Sequence, residues 1–254
     1  MNMKNLLLKI TAENMEMISK IRAQLNENSS LESQRSFQRF FKVPVLCYGV
    51  KSAVVAKIAK TNFVHVRRLS KSQLYDLCEA LFKSRYCEES WIASNWVYWK
   101  NDYAVTDLSY YERWIDKYID NWAKCDTFCN HVVGAFIDKY PKHIARLKIW
   151  AKSKNLWLRR AAAVSLIIPA KEGKFLKNIF EIADTLLNDK EDMVQKGYGW
   201  LLKEASRTHQ KEVFEYVMKH KDIMPRTALR YAIEKMPDSL RKKALSRLSD
   251  PAVL

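Results

Sequence analysis

Leu158-Arg159-Arg160-Ala161 and Val194-Gln195-Lys196-Gly197 open two stretches that read as equivalent helices, and their relation decides the fold. Asp126-Thr127-Phe128-Cys129 precedes them with a related pattern, and Pro225-Arg226-Thr227-Ala228 follows. Aligned on the small residue that ends each, the steps from Cys129 to Ala161, Gly197 and Ala228 are 32, 36 and 31 residues. A small side chain at that place lets one helix come close to the next. Two-helix units recurring at this period mark HEAT-like solenoids, which stack into a curved surface with a concave face. An irregular helical bundle is the alternative.

The rest of the chain agrees with a helical reading. Apolar residues recur at helical spacing, as in Ile144, Leu147 and Trp150 on one face. The 254 residues include only 5 Gly and 6 Pro, too few to punctuate an all-β chain. The pattern predicts helices near 3–26, 33–42, 51–62, 71–83, 87–101, 107–122, 126–139, 141–153, 155–168, 172–189, 191–206, 209–219, 224–236 and 238–248. Pro141, Pro225 and Pro237 fall where helices begin or end, as the missing N–H of proline allows. The expected architecture is an all-α HEAT-like helical-repeat solenoid forming a single domain over residues 1–254.

Charge narrows the partner. With 44 basic and 28 acidic residues the formal net charge is +16, which points to a polyanion, either nucleic acid or an anionic membrane. No apolar run approaches the ~20 residues that span a bilayer. The Leu6-Leu7-Leu8 cluster runs straight into Lys9, Glu13 and Glu16, an amphipathic helix and not a signal peptide. No membrane partner is expected. The five cysteines (Cys47, Cys78, Cys87, Cys125, Cys129) then read as buried thiols of a reducing compartment, and the expected location is cytoplasmic.

The charge is also segregated. From Ser33 to Tyr75 there is no acid, against Arg35, Arg39, Lys42, Lys51, Lys57, Lys60, Arg67, Arg68 and Lys71. From Lys139 to Lys171 there is again none, against nine cations that include Arg146, Lys148, Lys154, Arg159 and Arg160. Acids collect elsewhere, for example at Asp102, Asp107, Glu112, Asp116 and Asp120. In a solenoid such segments can line one wall as a basic stripe on the concave face. The plainer reading is that these lysines and arginines solvate helix exteriors.

Common enzymatic signatures are absent: there is no phosphate-cradling glycine loop and no His-Glu-x-x-His. Cys125 and Cys129 could meet at i, i+4, but a second ligand pair at zinc-like spacing is missing, so packed thiols are expected and no metal. Cys129 and His131 point apart at i, i+2, which removes a Cys–His nucleophile.

One constellation carries chemistry: Trp122 with Asp126, then Leu156-Trp157-Leu158-Arg159-Arg160-Ala161-Ala162, then Gly197-Tyr198-Gly199-Trp200-Leu201-Leu202-Lys203-Glu204. In these motifs, their order and their approximate separations, the sequence resembles the DNA alkylation repair glycosylases of the AlkD type. The resemblance runs from about Phe40, through Tyr48-Gly49-Val50-Lys51, to about Met236. It implies a C-shaped fold whose concave face holds double-stranded DNA, and excision of positively charged N3- and N7-alkylpurines with the base still in the duplex. It also implies a role for each matched residue. Asp126 is the catalytic aspartate, Trp122 and Trp200 are aromatic walls, and Arg160 contacts the DNA backbone. Arg159, Lys154, Lys51 and Lys196 are expected as further DNA-binding cations. No cofactor is expected, and the protein is expected to act as a monomer. Ala123 departs from the pattern, since some relatives carry a second acid there.

The chemistry is consistent with those residues. An alkylated purine is already cationic, so its glycosidic bond breaks toward an oxocarbenium-like sugar without a strong general acid. A fixed carboxylate and a positioned water serve that step. Each residue also has a plainer role. Asp126 could be an N-cap, Trp122 and Trp200 core residues like Trp157, Trp150 and Trp114, Arg160 and Arg159 surface charges, and Tyr198 packing. A non-catalytic DNA-binding repeat protein is the alternative function, and a protein-interaction scaffold a third.

Overall fold

The computed structural model describes residues 3–246, with side chains from residue 12 onward. Every regular element among the described residues is helical. The described residues form two compact units: 3–104 with 117–128, and 105–116 with 129–246.

The first unit contains α1 (Met3–Glu27), α2 (Leu31–Gln38), α3 (Ser52–Val66), α4 (Lys71–Lys83), α5 (Cys87–Lys100) and α7 (Trp122–Phe128). The C-terminal part of α1 packs Ile21 and Leu25 against α3 and α4. The side chains of the Leu6-Leu7-Leu8 cluster lie outside the described residues. Trp96 is fully enclosed, and its indole N–H donates to Ala59 O at 2.9 Å, which locks α5 to α3. The helix predicted over 33–42 is shorter and earlier, as α2. Gln38 explains its end: its side-chain amide bonds Val43 O (2.9 Å) and Val45 N (3.0 Å), which folds the chain back on itself before Pro44. Residues 42–51 are therefore an irregular strap along α2.

The second unit holds α8 (Gly134–Lys139), α9 (Ile144–Trp150), α10 (Leu156–Val164), α11 (Ile167–Lys171), α12 (Leu176–Leu186), α13 (Asp192–Ala205), α14 (Gln210–His220), α15 (Arg226–Ala232) and α16 (Asp238–Leu245). α6 (Asp107–Tyr118) contributes residues to both units. Here the repeat is plain. α10, α13 and α15 lie side by side as one layer, and α9 and α12 pack behind them. Ala161, Gly197 and Ala228 are all in this contact layer, and Ala161 and Ala228 are fully buried. The tightest approach is one position pair away from the one expected. A Cβ on Gly199 would stand 2.8 Å from Ala228 O, whereas one on Gly197 would make ordinary contacts with the Arg160 side chain from 3.4 Å.

Helix ends differ from expectation where side chains compete for the backbone. The helix predicted over 107–122 stops at Tyr118, and the one predicted from 126 starts at Trp122, because Asn121 Oδ1 accepts the N–H of Lys124 at 3.1 Å and caps α7. α7 leads through a π-helical turn, Cys129–Val133, into α8. The helix predicted over 155–168 breaks after Val164, and the one predicted over 172–189 begins only at Leu176, after a turn in which Gly173 and Phe175 have φ of 76° and 63°. Pro225 and Pro237 immediately precede α15 and α16, as expected. The final predicted helix reaches Leu245; positions 247 and 248 are outside the described residues.

All five cysteines are buried free thiols. Burial pushes the Cys87 thiol up to about 12. Trp114, Trp150 and Tyr198 are core, with Tyr198 donating to Leu187 O at 3.1 Å. Trp157 is not: it is the second residue of α10, where the helix start leaves it half-exposed.

Candidate functional site

In the first unit the site begins with the short helix α7. Its fifth residue is Asp126, half-buried, and its first is Trp122, one turn earlier on the same face. Because Asn121 supplies the cap, Asp126 sits inside the helix and the N-cap role is excluded. Lys124 anchors α7 from the opposite side. Its side chain is fully buried, with Nζ donating to Arg85 O at 2.6 Å and pairing Asp120 at 2.7 Å. Arg85 has a left-handed φ of 63°, so a buried lysine fastens a strained turn to the helix that carries Trp122 and Asp126.

Trp122 lines a cleft of about 960 Å³ that lies wholly within the first unit. Its indole stacks on Phe41 with ring centres 5.2 Å apart and an interplanar angle of 17°. Phe37 meets both Phe41 (4.8 Å) and Trp91 (5.6 Å) edge to face, so one aromatic cluster joins Trp122 to Trp91. The opposite wall is the start of α3, with Lys51, Ser52 and Ala53.

Two buried carboxylates that sequence reasoning passed over hold this wall. Glu88 accepts the backbone N–H groups of Tyr48 (3.1 Å), Gly49 (2.9 Å) and Val50 (3.2 Å). Glu89 binds Arg22 through two bonds of 3.0 and 3.1 Å and accepts the Tyr48 hydroxyl at 2.7 Å. Gly49 is required there: its φ is 81°, and a Cβ would stand 2.5 Å from Ser30 O. The adjacent acids Glu88-Glu89 in the first turn of α5 were the available signal, since carboxylates at a helix start sit where N–H groups and cations gather.

In the second unit Arg160 leaves α10 and is buried, 5% exposed, rather than a surface charge. Its guanidinium donates to Met193 O and packs on Gly197 of α13. Arg159 pairs with Asp189 at 2.5 Å and donates to Ser153 O (2.9 Å) and Lys154 O (3.0 Å), so it ties the turn before α10 to the turn before α13. Lys196 pairs with Asp192 at 2.9 Å, while Lys154 is exposed, as is Lys51 in the first unit. Trp200 is half-buried, and its indole N–H donates to Glu204 Oε1 at 3.2 Å. Glu204 is itself buried and accepts Arg207 Nε at 2.5 Å. Trp200 with Glu204 repeats the tryptophan-and-acid spacing of Trp122 with Asp126, a signal legible in the sequence but not used.

The two acid-free segments behave differently. In the second, Arg146 meets Glu112 (2.8 Å), Lys148 meets Glu181, and Arg159 meets Asp189. In the first, Arg35, Arg39, Lys51, Lys57, Lys60, Arg67 and Arg68 are exposed and make no ion pair with a described residue. Among the described residues no cluster of His, Cys, Asp and Glu could hold a metal ion, and no helix is long and apolar enough to cross a membrane.

Comparison with known proteins gives these residues a context. No curated protein matches the chain. Among solved structures, a predicted DNA alkylation repair enzyme from Enterococcus faecalis has the same fold, with a TM-score of 0.75 at 15% identity. The match covers 83% of this chain and 98% of that one. The family model described as DNA alkylation repair enzyme matches residues 21–236, a span that takes in Trp122, Asp126, Arg160 and Trp200. On that match over most of its length, the chain belongs to the family of DNA alkylation repair enzymes.

Proposed function

We propose that the protein is a DNA glycosylase that excises positively charged N3- and N7-alkylated purines from duplex DNA. The observation that carries the proposal is a carboxylate, Asp126, placed in the interior of α7 one turn from Trp122, with the capping duty taken by Asn121. As the cationic purine departs, positive charge builds on the sugar. A carboxylate about 4 Å from a unit charge contributes on the order of 4 kcal/mol at an effective dielectric near 20. Realised mainly in the transition state, that is roughly three orders of magnitude in rate. Asp126 holds this charge and orients the attacking water. The faces of Trp122 and Trp200 attract the cation and keep bulk water out.

Arg160 is assigned to a backbone phosphate, with Lys154 and Lys51 as supporting cations and Arg159 and Lys196 joining them by exchanging Asp189 and Asp192 for phosphate. The same proposal takes the whole chain as one functional domain that acts as a monomer. The unpaired cations of the first unit support a polyanionic partner, and the family supports DNA. The test is incubation with a duplex carrying one N7-methylguanine, followed by detection of free base. Release of the methylated base is expected. Tight duplex binding with no release would replace the proposal with a DNA-binding repeat protein that has no chemistry.

A further inference from the structure

The cleft of the first unit has more apparatus than a cationic sugar needs. Trp122 is only one of its aromatic walls: Phe37, Phe40 and Trp91 line it too. Phe40 is 68% exposed at the rim, although its own carbonyl is engaged by the Trp122 indole at 3.4 Å. A large exposed aromatic held at the mouth of a preformed cavity is a stacking surface waiting for a partner. Apart from Lys51, Glu32 and Glu88, the polar side chains of the lining are neutral and of hydrogen-bonding type, including Asn28, Ser30, Ser33 and Ser36. The volume of about 960 Å³ lies within the range of roughly 300–1,000 Å³ usual for small-molecule sites.

The charge around this cleft selects the occupant. Lys51 lines it and is exposed, and Arg35 and Arg39 flank Phe37 and Phe40 in sequence, exposed and without an ion pair to a described residue. The lining acids are Glu32 and Glu88, and Glu88 is committed to three backbone N–H groups. Aromatic faces with a cationic rim and neutral hydrogen-bonding groups fit a nucleobase whose phosphates stay outside.

We propose that this cleft binds a single unstacked nucleobase of DNA, which stacks on Phe40 and the Phe37–Trp91 wall while Lys51 and Arg39 meet the flanking phosphates. The inference rests on the DNA-directed reading above but not on the excision step. The cleft captures a base that has left the helix, and Asp126 is not among the residues that line it. Unpairing costs least at a bulge, a mismatch or a damaged pair, so the site favours such places.

The test uses two duplexes of one sequence, one with a single unpaired 2-aminopurine bulge and one with 2-aminopurine paired to thymine. The full chain should bind the bulged duplex about tenfold more tightly, the scale of one base–aromatic stack. It should also quench the 2-aminopurine fluorescence. Phe40→Ala should lose both the preference and the quench while keeping its affinity for the paired duplex, and Phe40→Trp should restore them. Lys51→Ala should weaken binding to the bulge and lower the salt slope by about one contact. Because both side chains are exposed, the variants should give the circular dichroism of the parent.

Equal binding of the two duplexes without quenching would overturn the inference and leave the DNA reading standing. Binding of neither would overturn both. A concentration-dependent dimer that Phe40→Ala dissolves would assign the cleft to a second copy of the chain and overturn the inference.

Discussion

Asn121, not Asp126, caps α7, and the proposed mechanism gives Asp126 a different task. Because Asn121 caps α7, Asp126→Asn should leave stability and duplex affinity near those of the parent and lower base release by about three orders of magnitude. Asn121→Ala should do the reverse, lowering stability by about 1 kcal/mol in a thermal melt. Normal release by folded Asp126→Asn would remove the carboxylate from the mechanism. Arg160 and Trp200 separate in another way. Arg160→Ala takes a buried guanidinium off Met193 O, so it should lower the melting temperature as well as weaken binding to damaged and undamaged duplex alike. Trp200 is only half-buried, so Trp200→Ala should cost less than the about 3–5 kcal/mol of an enclosed tryptophan. It should slow single-turnover release without changing the salt slope. A wild-type rate from folded Trp200→Ala would take the second wall away.

At the scale of the element, α13 is the informative helix. Its glycines stand two residues apart and face different neighbours. Gly199 meets α15 backbone, with Ala228 O and Tyr231 Cβ both at 2.8 Å from an added Cβ. Gly197 meets the flexible side chain of Arg160. Gly199→Ala should therefore push α15 away and cost about 1–3 kcal/mol in denaturant unfolding. Gly197→Ala should be close to neutral, since helix propensity gains up to about 1 kcal/mol against a small shift of Arg160. Equal costs at the two positions would mean that α13 and α15 are not packed through Gly199. The small-residue register seen in sequence was right about which helices meet. It was one helical face away from the closest contact, because repeat matching aligns residues by type and cannot tell which side of a helix faces the neighbour.

For the molecule as a whole, the separation of its cations into paired and unpaired sets decides how it should respond to salt. Duplex affinity should fall linearly in log K against log salt, with a slope of about −0.9 per phosphate neutralised. Arg39→Ala with Lys51→Ala should reduce that slope by about two contacts, because neither cation has an ion pair to a described residue. Arg146→Ala should leave it unchanged, because Arg146 already belongs to Glu112. A flat salt response would end the DNA reading. Both acid-free segments looked alike as strings of letters. They differ because Glu112, Glu181 and Asp189, distant in sequence, fold onto the second of them.

The sequence by itself determined the all-helical class, the succession of paired helices, the buried cysteines and the family, because periodicity, helix breakers and ordered motifs are local properties of the chain. It also set the residue types at Trp122, Asp126 and Trp200, to which the proposal gives the chemistry. Only the tertiary structure decided that Arg160 is buried, that Glu88 and Glu89 pin the Tyr48–Val50 strap, that Lys124 fastens α7, and that an aromatic cleft opens beside Trp122. Each of these depends on groups 30 or more residues apart meeting at hydrogen-bond or van der Waals distance. The free energy of such a meeting belongs to the pair and to the water it excludes, and no single stretch of sequence contains it.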